Sequence, residues 1–220
     1  MGKKESIRDL QPLNIMLGWK ATYNNLTKNE QKNRFINGTL LELEYKLNDQ
    51  RLAVLSVKDG FQIDWTRLSN STTIKSVIVQ NQKTLVSELE NMIFNIDYRT
   101  DTKTPYNYIP LRLPSGWKVL YNTCINIDPD TLNEKDDQWL NFTDELLFLG
   151  YDDGRILIDI GWEPEASPDG YYSLGLVIDD DWENLEKLLH IRRPEKLVEA
   201  IEDIMVEVEE GKYDKPPHNT

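Results

Sequence analysis

Residues 18–25 read GWKATYNN and residues 116–123 read GWKVLYNT. Gly, Trp, Lys, Tyr and Asn recur in the same places, as Gly18/Gly116, Trp19/Trp117, Lys20/Lys118, Tyr23/Tyr121 and Asn24/Asn122. Internal repetition at a fixed spacing dictates architecture before any local pattern does. Downstream of the phrase the two halves keep the same order of features. LLELEYKLNDQRLAVLSV (40–57) is two alternating runs around Asn48-Asp49, and ELLFLGYDDGRILIDIGW (145–162) is the same around Asp152-Asp153-Gly154. Strict alternation marks half-buried strands, and Asp-Gly is a tight-hairpin signal because glycine accepts positive φ.

A further strand is expected in each half, at Ile74–Val79 and at Tyr172–Ile178. A helix then follows. KTLVSELENMI (83–93) matches EKLVEAIEDIM (195–205) at Leu85/Leu197, Val86/Val198, Leu89/Ile201, Met92/Ile204 and Ile93/Met205, which is one apolar helix face. Pro194 suits the first turn of the second helix. Each half thus reads β-β-β-β-α with the GWK phrase opening the first strand. The expected fold class is α+β: two tandem repeats, each a small antiparallel sheet packed against a C-terminal helix. The expected organisation is a first repeat over 1–98, a polar, proline-bearing linker over 99–112, a second repeat over 113–206 and a charged tail over 207–220. Asp128–Asn141 and Asp179–Arg193 read as insertions in the second repeat.

Charge separates the halves. Residues 1–98 carry 13 Lys and Arg against 11 Asp and Glu, a net of +2; residues 99–220 carry 12 against 27, a net of −15. A field of that sign repels nucleic acid and anionic membrane and draws basic partners. No apolar run reaches the roughly 20 residues of a membrane span, and the N-terminus lacks a signal-peptide pattern. Cys124 is the single cysteine, so no intrachain disulfide forms, and a reduced, cytoplasmic protein is expected.

Catalytic chemistry is hard to find. There is no glycine-rich phosphate loop and no Cys/His metal spacing. His190 and His218 are the only histidines, and nothing in the sequence sets either beside Cys124. Asp128-Pro129-Asp130 with Glu134, Asp136 and Asp137 lacks the glycine and terminal glutamate of an EF-hand. The pair Glu163 and Glu165 has no more support as glycosidase acids in a chain this acidic. The expectation is no enzyme, no cofactor and no metal. A carboxylate-dependent hydrolase using His190 and a self-associating structural module stay open as alternatives.

What stands out is acid beside tryptophan. Asp128, Asp130, Glu134, Asp136 and Asp137 precede Trp139. Asp179, Asp180 and Asp181 precede Trp182. Asp152 and Asp153 mark a hairpin tip, and Glu163, Glu165 and Asp169 follow Trp162. Carboxylates steer a basic partner and an aromatic ring anchors it. The plain alternative is a solvated surface over buried tryptophans. LPSGWKVLYNTCINIDP (113–129) and DELLFLGYDDGRILIDIGWEPEASPDGYYSLGLVIDDDWENLEKL (144–188) resemble small bacterial immunity proteins of polymorphic-toxin and contact-dependent-inhibition systems. The resemblance covers the second half, and the first half only through the repeat. It implies a compact, acidic, cytosolic α+β protein that binds a cognate toxin domain and blocks it; many such toxins are nucleases with basic clefts. A tandem chain departs from the single module usual there. The acidic half is the expected toxin-binding surface, on a chain that is monomeric when free and binds neither nucleic acid nor membrane.

Overall fold

The computed structural model describes residues 6–97 and 107–214. The first half runs β1 (Lys20–Asn24), α1 (Glu30–Phe35), β2 (Gly38–Tyr45), β3 (Gln50–Val57), β4 (Gly60–Arg67), β5 (Thr73–Val79) and α2 (Gln82–Asp97). The second runs β6 (Lys118–Asn122), β7 (Leu147–Tyr151), β8 (Ile156–Glu163), β9 (Tyr171–Ile178), β10 (Lys187–Ile191) and α3 (Pro194–Glu209). Two 3-10 turns, Pro129–Thr131 and Asp137–Asn141, stand in the second half where α1 stands in the first.

The expectation of two small sheets is corrected. Among the described residues, ten strands form one antiparallel sheet in the order β10-β9-β8-β7-β6-β1-β2-β3-β4-β5. Each half supplies five strands, one more than expected. Gly60–Arg67 is the missed strand of the first half, and it corresponds in order to Tyr171–Ile178. Ile74–Val79 therefore corresponds to Lys187–Ile191, a strand inside the stretch read as an insertion. Both missed strands end up hydrogen-bonded to their hairpin partners, Gly60–Arg67 to β3 and Lys187–Ile191 to β9.

The halves meet where the repeated phrase meets itself. Gly18 N–H donates to the Val119 carbonyl and Gly116 N–H to the Ala21 carbonyl, both at 2.7 Å. Ala21 N–H donates to Trp117 (3.0 Å) and Val119 N–H to Trp19 (2.9 Å). The bonds come in matched pairs, so Lys20 and Lys118, which face one another across the junction, lie at a local two-fold. Further pairs repeat the match. The Asn24 amide donates to the Leu113 carbonyl and the Asn122 amide to the Ile15 carbonyl, both at 2.9 Å. Leu13 and Leu111 exchange backbone bonds of 3.0 and 2.9 Å.

The expected linker needs revision for the same reason. Its residues 99–106 lie outside the described residues. Tyr108, Ile109, Leu111 and Leu113 are buried, because this stretch crosses to the other half as residues 10–15 do. The expected tail also starts later than 207. Glu207–Glu209 belong to α3, and Tyr213 is buried with its hydroxyl donating to Glu207. Lys215–Thr220, with His218, lie outside the described residues.

The helices pack as their spacing predicts. Leu85, Leu89, Met92 and Ile93 of α2 and Leu197, Ile201, Ile204 and Met205 of α3 are buried in one core with the inward side chains of the sheet. Trp19 and Trp117 are fully buried, against Tyr45 (centroids 5.5 Å apart) and Tyr151 (5.3 Å) respectively. The repeated tyrosines are not core: Tyr23 is exposed and Tyr121 half-buried. No helix among the described residues is long and apolar enough to cross a membrane.

Candidate functional site

Strand alternation gives the acidic half two faces. Ile156, Ile158, Ile160 and Trp162 of β8 enter the core, with Tyr172, Leu174 and Leu176 of β9 beside them. Leu157, Asp159, Gly161 and Glu163 alternate with these and point to the opposite, open face. Across that face Asp159 is level with Phe148 of β7 and Gly175 of β9, and Gly175 with Leu188 of β10.

Two segments close over the open face and leave a groove between them. The chain at Asp144 passes so near Gly161 that a Cβ there would lie 2.0 Å from the Asp144 carbonyl oxygen. The loop after β9 brings Trp182 over Phe148, with centroids 6.1 Å apart, and Leu185 over Gly175. The groove has a volume of about 280 Å³ and is lined by Asp144, Asp159, Glu163, Ser173, Trp182 and Leu188, among others. Gly161 and Gly175 give it a flat floor. Trp182 is 47% exposed, and its indole N–H donates to Asp180 at 2.7 Å, which holds the ring at the rim.

Asp159 is half-buried, and its carboxyl is raised above the usual aspartate range, first by burial and then by the charges of Glu145 and Asp144. Among the described residues it has no ion pair. A carboxylate in like-charged company at the floor of an open groove attracts cations.

The fifteen residues singled out in the sequence do not converge. Trp139 is a correction: it is buried, in a cluster with Phe142, Trp162 and Tyr172, and its N–H donates to the Asn133 carbonyl at 2.8 Å. The hydrophobic demand of a large core takes this ring, so it cannot anchor a partner. Its cluster lies on the core face, away from Trp182. Asp130 is paired with Arg192 at 3.0 Å, whose guanidinium also lies over Trp162. Asp128 and Asp136 cap the 3-10 turns. Asp152 pairs with Arg155 at 2.6 Å, and Asp181 accepts from Asn184 at 3.1 Å. These carboxylates serve local structure. Glu134, Asp137, Asp153, Glu163, Glu165, Asp169 and Asp179 are exposed, and of them only Glu163 lines the groove. Asp144 and Asp159 are the residues sequence reasoning missed. Asp159 carried one signal, a charge within an otherwise apolar strand, Ile156–Ile160.

The residues weighed for catalysis lie apart in character. Cys124 is buried, which pushes its thiol up to about 12. His190 is exposed on β10 and stacks on Tyr171 with centroids 4.3 Å apart. No cluster of three or more His, Cys, Asp or Glu among the described residues is arranged to hold a metal ion. No family model, curated protein or solved structure matches the chain.

Proposed function

We propose that this chain is a non-catalytic immunity protein that neutralises a bacterial toxin domain by seating a basic segment of it in the groove of the acidic half. The observation that carries this reading is Asp159, half-buried beside Asp144 and Glu145 with an exposed tryptophan at the groove's rim. A Lys or Arg entering there relieves repulsion already present in the free protein, while Trp182 and Leu188 bury its aliphatic stem. The groove lies within the stretch that resembles immunity proteins. A toxin that handles nucleic acid offers a basic cleft of the right sign, with the carboxylates standing where phosphates would.

The placement of Cys124 supports this reading over a thiol-dependent hydrolase. A thiol held at about 12 is protonated at neutral pH and is a poor nucleophile. We also infer that the chain is a duplicated module, its two copies fused through β1 and β6. Among the described residues the acidic groove lies in the second copy, and the first serves as its structural partner.

The test is co-purification with the C-terminal domain encoded immediately upstream of this chain. A stoichiometric complex that weakens at least tenfold between 50 and 500 mM salt is expected, with Trp182→Ala costing about 2 kcal/mol of binding. An unaltered complex in Asp159→Lys and Glu163→Lys would place the interface elsewhere.

A further inference from the structure

The junction between the halves holds a second feature, independent of the functional reading above. Lys20 and Lys118 face one another across β1 and β6. The bonds that flank them run Ala21 to Trp117 and Val119 to Trp19. That pattern makes Lys20 and Lys118 a non-hydrogen-bonded pair, the closer of the two antiparallel kinds, with Cα atoms about 4.5 Å apart. Like charges so placed destabilise a sheet. The chain has 38 Asp and Glu, yet among the described residues neither lysine forms an ion pair with any of them. Both are half-buried.

A cavity of about 210 Å³ opens over this pair. Lys46 also lines it, so three cations meet two carboxylates there, Glu44 and Asp153. Glu44 is level with Lys20 across β1 and β2, whereas the position level with Lys118 on β7 is Gly150. Lys118 thus has open floor where Lys20 has a carboxylate. The tips of both hairpins form the walls, through Leu47 on one side and Asp153 and Gly154 on the other. In a molecule of formal charge −13, this is a local excess of positive charge inside a concave site.

We infer that the cavity at the junction of the two halves binds a small oxyanion, a phosphate group, between the ammonium groups of Lys20 and Lys118. One anion of charge near −2 offsets both lysines and turns a repulsive pair into a clamp across the β1–β6 junction. The phosphate group is either the free ion or part of a small organic ester.

Calorimetric titration of the full chain tests this, using inorganic phosphate, glycerol 3-phosphate and chloride at constant ionic strength. Saturable phosphate binding is expected, weakened at least tenfold in Lys20→Met and in Lys118→Met. Without phosphate both variants should melt no lower than the parent, because repulsion is lifted; that separates lost binding from lost folding. Tighter binding of the ester than of phosphate identifies an organic ligand, and equal binding identifies the free ion; both support the site. Phosphate that acts no more strongly than chloride, or binding that persists in both lysine variants, overturns it.

Discussion

Asp159 has a folded-state affinity for protons above that of an ordinary aspartate, because burial and the neighbouring Glu145 and Asp144 all disfavour its charge. In the interval between the ordinary value of 3.8 and the raised one, the folded protein binds more protons than the unfolded chain. Stability therefore falls as pH rises through that interval, and the deficit is complete above it. Asp159→Asn removes the deficit. Thermal melts should show a higher midpoint for the variant at pH 7, and a difference that disappears once the pH is below 3.8. Equal midpoints at pH 7 would mean that Asp159 is not under electrostatic strain. A cationic partner should prefer the ionised form, so its binding ought to release a proton across the same interval, and the variant ought not to.

Gly18 and Gly116 precede the two tryptophans at the β1–β6 junction with φ of +92° and +96°. A Cβ on Gly116 would lie 2.6 Å from the Tyr151 ring, and one on Gly18 would lie 2.3 Å from the Tyr45 ring. Gly116→Ala should cost about 2–3 kcal/mol, from backbone strain at positive φ and displacement of the ring, read as a shift in the urea midpoint. Gly18→Ala should cost a similar amount. A cost under about 0.5 kcal/mol at either position would contradict the close packing described for the junction.

The helices and the β2–β3 hairpin were legible in sequence because their burial is one-sided: α2 and α3 show a 3.6-residue stripe and β3 alternates; β8, buried at most positions on both faces, was legible through the Asp-Gly turn before it. Lys187–Ile191 was not legible, since its half-buried and exposed residues have no clean alternation and follow an acidic loop. Gly60–Arg67 does alternate, at Phe61, Ile63 and Trp65; the shorter strand Ile74–Val79 took its place in the repeat alignment. The repeat also begins earlier than the GWK phrase. Pro12-Leu13 and Pro110-Leu111 share its spacing, and Leu13 and Leu111 exchange backbone hydrogen bonds. The groove was beyond reach. It joins Asp144, Asp159 and Trp182 through the register of β7, β8 and β9, and periodicity does not fix the register between strands.

The continuous sheet distributes roles over the molecule. The first half completes the core at the junction and carries little net charge, while the second half carries the negative field and the open groove. A long-range field of that sign favours the approach of basic partners from any direction; among the described residues, the face bearing Asp159, Glu163 and Trp182 offers a cavity and an exposed ring together. On the core face of the same half Asp130 is committed to Arg192 and Asp136 to a turn cap.

Hydrogen–deuterium exchange on this chain with and without the proposed toxin partner tests the central claim most directly. Protection is expected in β7 to β9 and in the loop 179–188, with β2 to β5 unchanged. Protection confined to the first half, or to α3 and the turns at 129–141, would contradict the account.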